Sequence, residues 1–289
     1  MAEGYFIDLK DAKEGMRLHL PLCKTTDNSL LLSRGVVLNK RVIQQLNMHF
    51  KDCIGNLCIE RVSGDKIDET NNSYTVKSIL KDLNNTVVGI QGSLASIELV
   101  LSLIEEDSTL REFLDIINTY DHATLVHSLN VGVMTAIFLD KLTIVDNNAV
   151  KMALLHDLGK TKIPLDIINK KGKVSDDEYK TVKEHSRLGY YTLKSVKKYD
   201  EHLAGVLQHH ERWDGSGYPN RLRGENICFN ARVYALIDTL DALISKRPYK
   251  QPTRFEDAVL YINKKSGILF DPDITSEFSA IYRGKSAIG

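Results

Sequence analysis

The chain has 289 residues, enough for one large domain or two moderate ones and for a substantial core. Hydrophobic residues make up 43% and charged residues 26%, an ordinary globular composition, and 38 basic side chains balance 38 acidic ones. That balance argues against a broad nucleic-acid-binding or polybasic membrane-binding surface, and no stretch approaches the roughly 18 apolar residues of a membrane span. The opening residues MAEGYFIDLKDAKEG lack the basic-then-apolar character of a secretion signal. Four cysteines, Cys23, Cys53, Cys58 and Cys228, show no paired metal-site spacing, and DCIGNLCIER reads as a strand rather than as half a zinc site. The expected setting is a reducing cytoplasm.

Residues 1–62 carry the short segments of a small mixed α/β unit. RLHLPLC, LLLSRGVVL and CIGNLCIER have strand composition, whereas NKRVIQQLNMHF places Val42, Ile43, Leu46 and Phe50 at helix spacing. Residues 63–75, SGDKIDETNNSYT, are polar and break both periodicities, which predicts a linker. One or two amphipathic helices are expected over 76–106, so that 63–111 joins the two halves. From 112 to 289 strand signals disappear, and helical patterns alternate with loops rich in Gly, Pro, Asp and Asn. The expected fold is mainly α: an all-helical C-terminal bundle preceded by a small α/β domain and a helical linker.

The chemistry lies in the helical half. In LLHDLGKTKIP, residues 154–164, His156 offers a neutral nitrogen and Asp157 a carboxylate whose two oxygens can bridge two ions. Taken alone, the pair reads equally as a buried contact in which the acid fixes an imidazole tautomer. Lys160, three residues on, either emerges on the same face of a continuing helix or stands as a solvated cation at a helix C-terminus. His127 in VHSLNV, His185 in VKEHSRLGY, His209 and His210 in HHERWDGSGYPN, and Asp238 in VYALIDTLDAL extend the set. An isolated His127 or His185 would more often be a packed or surface histidine than a ligand. Together the seven residues supply nitrogen and oxygen donors from five segments, too many for one tetrahedral ion and suited to two ions sharing a carboxylate. A set without thiolates suits iron, manganese, zinc or nickel. Lys160, Lys162, Lys170, Lys171 and Lys173 fall within fourteen residues, with Asp166 the one acid among them. Such a run is either a solvated loop or a field that steers an anionic ligand.

These motifs, in this order and spacing, resemble the HD-GYP domain, a branch of the HD phosphohydrolase superfamily associated with bacterial cyclic di-GMP phosphodiesterases. The resemblance covers roughly 112–289, through HSLNV, LLHDLGKTKIP, IINKKGKVSDDEY, KEHSRLG, HHERWDGSGYPN, LRGENI, IDTLDALISKRPYK and GILFDPDI. The N-terminal GMRLHLPLCKTTDNSLLLSRGVVLNK is similar, more weakly, to a small domain found ahead of such modules, and carries no chemistry of its own.

The resemblance implies roles residue by residue. His127, His156, Asp157 and Asp238 would hold one divalent metal, and Asp157 would bridge to a second completed by His185, His209 and His210. Iron is the expected metal and manganese the alternative. Some family members place a glutamate four residues before the first ligand histidine and hold a third metal; here that position is Ala123, which implies a binuclear site. Asp121 and His122 lie nearby at other offsets and are expected to be structural, and Lys171 stands where the family usually has proline. The implied reaction is hydrolysis of cyclic di-GMP by a metal-bridged hydroxide to linear pGpG, with a second cleavage to GMP left open. Asp157 and Lys160 would carry catalysis, with Lys160 on the scissile phosphate. Tyr218 would meet the base or sugar, and Arg247 and Lys250 in KRPYK the phosphate and guanine. Without the resemblance those last two read as a solvated pair at a helix end. In the HHERWDGSGYPN loop, Glu211 and Arg212 are expected to fix the chain, Trp213 to anchor it by burial, and Asp214 to Gly217 to turn it.

Two other function classes compete. One is a hydrolase of the same superfamily acting on another substrate, such as cyclic GMP-AMP or a nucleotide phosphate. The other is a non-catalytic cyclic-dinucleotide sensor or interaction module, against which the full ligand set, Lys160 and the intact Gly-Tyr-Pro count. The implied partners are cyclic di-GMP and a homodimer or signalling-protein contact through the Gly-Tyr-Pro loop or the N-terminal domain, with no nucleic-acid polymer and no membrane insertion.

Overall fold

The computed structural model describes residues 4–20, 22–23, 30–49, 57–60, 93–170, 172–245 and 251–283. The N-terminal part holds β1 (Gly4–Ile7), β2 (Leu22–Cys23), β3 (Leu30–Leu32), α1 (Lys40–His49) and β4 (Leu57–Glu60). β1 and β4 pair antiparallel, with Gly4 opposite Glu60 and Ile7 opposite Leu57, and β2 pairs with β3. The expected strands are present: the described part of CIGNLCIER, Leu57–Glu60, is strand throughout, whereas RLHLPLC and LLLSRGVVL are strand over only part of their described residues. Of LLLSRGVVL only Leu30–Leu32 is strand, and Val37 makes an isolated bridge to Arg17. β1 has no counterpart among the expected strands, because four residues carry too little alternation to signal one.

Side chains alternate across a strand, and in β4 that alternation decides which core each residue joins. Leu57 and Ile59 pack with Leu18, Leu22, Leu38 and Leu46 in a small N-terminal core. Cys58 points the other way and, with Leu20, enters the main core of the helical half. Burial pushes its thiol up to about 12, so it behaves as a small apolar side chain rather than a ligand. A polar tie lies beside this seam: Glu112 Oε1 is 2.5 Å from His19 Nε2 and 2.9 Å from Arg34 Nη2.

The linker expected at 63–75 lies outside the described residues. The helical half opens with α2 (Ser93–Glu106), α3 (Ser108–Tyr120), α4 (His122–Lys141) and α5 (Asn147–Leu155). An aspartate caps each of the last three: Asp107 accepts from the backbone N–H groups of Thr109 and Leu110, Asp121 from Thr124, and Asp146 from Ala149. α3 runs unbroken through the boundary expected at 111/112. Asp121 is thus a cap, and His122 Nδ1 lies 2.9 Å from Asn118 Oδ1, so both play structural parts.

α4 is the central element and packs against α2, α3, α5 and a later helix, α10. It is long and apolar enough to pass as a membrane span by length and composition, which corrects the expectation that no stretch would. The cause is burial: nearly every side chain from Thr124 to Leu139 is enclosed by the bundle. The chain continues through a 3-10 turn at Leu158–Lys162, α6 (Leu165–Ile168), α7 (Asp176–Lys183), α8 (His185–Lys194), a 3-10 turn at Lys197–His202 and α9 (Leu203–Gln208). After a long loop come α10 (Phe229–Ile244), α11 (Phe255–Lys264) and α12 (Pro272–Arg283). Among the described residues no strand follows Glu60, and one core runs from α2 to α12. The architecture is mainly α, as the periodicities imply.

Candidate metal centre

Five segments converge at the middle of the bundle. His127 comes from the first turns of α4, His156 and Asp157 from the end of α5, His185 from the α7–α8 junction, His209 and His210 from the end of α9, and Asp238 from mid-α10. Three of the imidazoles are oriented in the same way. Nδ1 of His156 lies 2.7 Å from the Ala153 carbonyl, that of His185 2.6 Å from Val182, and that of His209 2.6 Å from Val206. A carbonyl can only accept, so each Nδ1 carries the proton and each Nε2 presents a lone pair inward.

Asp157 sits between two sets of these donors. Its Oδ2 is 3.4 Å from both His127 Nε2 and His156 Nε2, and its Oδ1 is 3.4 Å from His185 Nε2 and 4.0 Å from His209 Nε2. Asp238 Oδ1 joins the first set, 3.2 Å from His127 Nε2. Two groups of donor atoms result, His127–His156–Asp157 and Asp157–His185–His209–His210, each with its ligand atoms within 4.8 Å of one another.

Burial sets the protonation. It holds His156, His209 and His210 below the ordinary imidazole range and His185 at about 4, so all four are neutral near pH 7. Burial also works against ionised carboxylates. Lys160 and the surrounding imidazoles outweigh it at Asp157, and His127 outweighs it at Asp238, so both acids stay well below the usual carboxyl range. At His127 burial is outweighed by Asp157, Asp238 and Asp241, which hold the ring well above its ordinary value. Protonation and metal binding are alternatives at that Nε2.

The arrangement fits divalent cations on its own terms. His185 Nε2 and His209 Nε2, both lone-pair nitrogens by the argument above, face each other at 3.1 Å. His156 Nε2 and Asp157 Oδ1 are buried with no hydrogen-bond partner. Inward-facing acceptors without donors are costly unless a positive charge lies between them.

The HD domain family profile matches residues 113–274, more than half of the chain. The chain belongs to the HD domain family. A cyclic di-GMP phosphodiesterase response regulator, RpfG, from Xanthomonas campestris is 41% identical over 47% of this chain and 36% of its own length. A cyclic di-GMP phosphodiesterase from Thermotoga maritima is 33% identical over 60% of this chain and 50% of its own. A 3'3'-cGAMP-specific phosphodiesterase from Vibrio cholerae is 38% identical over 42% of this chain and 23% of its own. The chain therefore spans half or less of the length of these curated relatives.

In this HD domain protein a further layer of side chains holds the donor residues. Asp241, one turn beyond Asp238 on α10, accepts from His127 Nδ1 at 2.6 Å and from Asn130 Nδ2 at 2.9 Å. Neither Asp241 nor Asn130 stands out in the sequence as a candidate site residue. Each lies three residues from a donor residue on its own helix and so shares its face, a spacing that any helical acid or amide could have. Lys160 follows the HD pair on the 3-10 turn, whose i and i+3 side chains eclipse, and its Nζ reaches Asp157 Oδ2 at 2.5 Å.

The lysine run does not act as one field. Lys162 is buried towards Cys58, Lys170 pairs with Glu178 at 2.7 Å, and Lys173 is exposed. Lys171 lies outside the described residues. With three residues per turn, Lys162 lies about 120° around the 3-10 turn from Lys160 and so leaves on a different side, which is why proximity in sequence misleads here.

The loop after His210 is fixed from within. Glu211 is buried and accepts from the backbone N–H groups of Asn220 at 2.7 Å and Leu222 at 3.0 Å. Trp213 is half-buried rather than enclosed; its backbone N–H donates to Leu269, and the Arg232 guanidinium lies 5.9 Å from its ring. Gly217 is required by contact, because a Cβ there would stand 2.4 Å from the Arg212 nitrogen. The fold of this loop brings Tyr218 over the centre, with its ring 4.8 Å from that of His210 and 6.5 Å from that of His185. Arg247 and Lys250 lie outside the described residues.

Proposed function

We propose that this HD domain protein is a metal-dependent phosphodiesterase that hydrolyses cyclic di-GMP to linear pGpG, with onward cleavage to GMP as a second step. The observation that carries the reading is the position of Asp157, one oxygen towards each donor group. His127, His156, Asp157 and Asp238 would hold one divalent ion, and Asp157, His185, His209 and His210 a second. Ala123, one turn before His127, offers no ligand for a third. Iron is the favoured metal and manganese the alternative, because the donors are imidazoles and carboxylates. When bound, such ions supply Lewis acidity, neutralising the phosphodiester and making water a competent nucleophile near neutral pH.

The chain's own residues do the rest. The backbone carbonyls and Asp241 fix the imidazoles, so no ring has to reorganise as charge develops. Lys160 places an ammonium within the centre, where it offsets the negative charge that builds on the scissile phosphate and holds a proton near the departing ribose 3′ oxygen. Water adds to phosphorus as the bond to that oxygen breaks. Tyr218 takes the base or sugar. Arg247 and Lys250 complete the recognition of phosphate and guanine. The cytoplasm is the proposed setting, with self-association or a signalling partner engaged through the Gly-Tyr-Pro loop or the N-terminal part.

A second reading, cleavage of cyclic GMP-AMP, is favoured by the relative from Vibrio cholerae that carries that specificity in its name. Chromatography of products after incubating iron- or manganese-loaded protein with both dinucleotides decides between them. pGpG or GMP from cyclic di-GMP supports the first reading, and cleavage of cyclic GMP-AMP alone the second. Tight binding without product would make the protein a sensor.

A further inference from the structure

α7 ends two residues before the ligand His185, and its Tyr179 and Lys183, one turn apart, share a face. Lys183 Nζ stands 4.8 Å from the Tyr179 ring centroid and 5.8 Å from that of Tyr218. Because Tyr218 lies against His210 and His185, this cation between two aromatic rings adjoins the second donor group directly. Lys183 forms no ion pair among the described residues, and the adjacent Glu184 turns instead to Arg187, 3.8 Å from its Nη1. The cluster opens outward, with Tyr179 52% exposed and Lys183 half-buried.

An ammonium with no carboxylate at ion-pair distance among the described residues, flanked by ring faces at the rim of a phosphate-cleaving centre, has a definite complement. It suits a ligand that brings an anionic group together with a flat π-system, as a nucleotide does. Lys160 and Asp157 occupy the side where a phosphodiester would be cut. Lys183 lies against the Tyr218 ring, 5.8 Å from its centroid, and forms no hydrogen bond or ion pair with either residue.

We propose that Lys183, with Tyr179 and Tyr218, forms a subsite for the second nucleotide of a cyclic dinucleotide, the half whose phosphodiester is not being cleaved. The ammonium meets that phosphate while the base lies against the tyrosines. This rests on the phosphodiesterase reading and makes Lys183 a residue that governs affinity rather than the chemical step.

The test separates the two. Lys183→Met should raise KM for cyclic di-GMP about tenfold while changing kcat less than about threefold, and Lys183→Arg, which keeps a cation able to stack on tyrosine, should restore most of the loss. The salt dependence of KM should also flatten in Lys183→Met, since an exposed attraction of this kind is screened. Titration of manganese-loaded protein with a phosphorothioate analogue of cyclic di-GMP should give the same ratio of affinities without turnover. Unchanged KM and affinity in Lys183→Met would overturn the subsite while leaving the phosphodiesterase intact. A fall confined to kcat, accompanied by a lower melting temperature, would assign Lys183 a structural part and overturn it equally. Wild-type protein that neither binds nor cleaves any cyclic dinucleotide would overturn both.

Discussion

Asp241 of α10 holds His127 of α4 through a hydrogen bond of 2.6 Å to Nδ1, so the orientation of one ligand is set by a residue on a different helix. The same carboxylate accepts from Asn130 Nδ2 at 2.9 Å and Ser245 Oγ at 2.7 Å, which pins it in turn. Partners of this kind tune metal affinity by about 10–100-fold. Asp241→Ala should weaken manganese binding by that factor, read by equilibrium titration, and Asp241→Asn, which keeps an acceptor but not the charge, should fall between. Equal affinity in all three proteins would show that α4 positions His127 unaided.

Asp157→Asn replaces one of the two facing oxygens with a donor. Elemental analysis should find fewer than two metals per chain in the variant against two in the wild type, and product formation should drop to background. Three metals in the wild type would contradict the reading of Ala123, and full activity in the variant would contradict the bridging role.

Gly159 lies where the turn after the HD pair touches α8 backbone to backbone. A Cβ there would stand 1.8 Å from the His185 carbonyl oxygen and 2.5 Å from the Gly189 nitrogen, and neither can swing aside as a side-chain tip could. Gly159→Ala should therefore destabilise the fold by about 2–4 kcal/mol and lower metal occupancy, because the displaced strand of backbone carries His185. An unchanged melting temperature would refute so tight a contact.

Asp107 gathers a buried network far from the centre. It is 5% exposed, and its carboxylate accepts from Lys198 Nζ at 2.5 Å, Lys151 Nζ at 3.0 Å and Tyr199 OH at 3.0 Å while capping α3. Burial alone would raise its pKa, but these donors outweigh that and hold the carboxyl well below its ordinary value. A depressed folded-state pKa contributes stability that is complete above the unfolded value of about 3.9 and is lost as pH falls through it towards the folded value. Asp107→Asn should cost about 2–4 kcal/mol at neutral pH, with the gap to wild type narrowing below about pH 4. Urea denaturation across that range measures it, and a gap independent of pH would contradict the network.

The seven donor residues that the structure brings together were legible through residue identity, since imidazole and carboxylate recur at five well-separated places. Asp241 and Asn130 were not, since an aspartate that orients a ring looks in sequence like any other acid on a helix. Lys162 misled for a geometric reason: it belongs to a 3-10 turn that sends it inward. The helical half was readable from its 3.6-residue pattern, whereas the division of β4 between two cores depends on what packs on each face. The membrane-like apolarity of α4 likewise becomes intelligible once its surroundings are known.

His156, His185 and His209 each take their Nδ1 acceptor from the last turn of a preceding helix, α5, α7 and α9. Three helix C-termini therefore point their partial negative charge at one place. An anion approaching that place meets an opposing field, and meets a favourable one once cations are in position. On the proposed phosphodiesterase reading this field favours metal first and phosphate second, so that a cell short of the right ion would leave the protein with a weakened hold on its substrate.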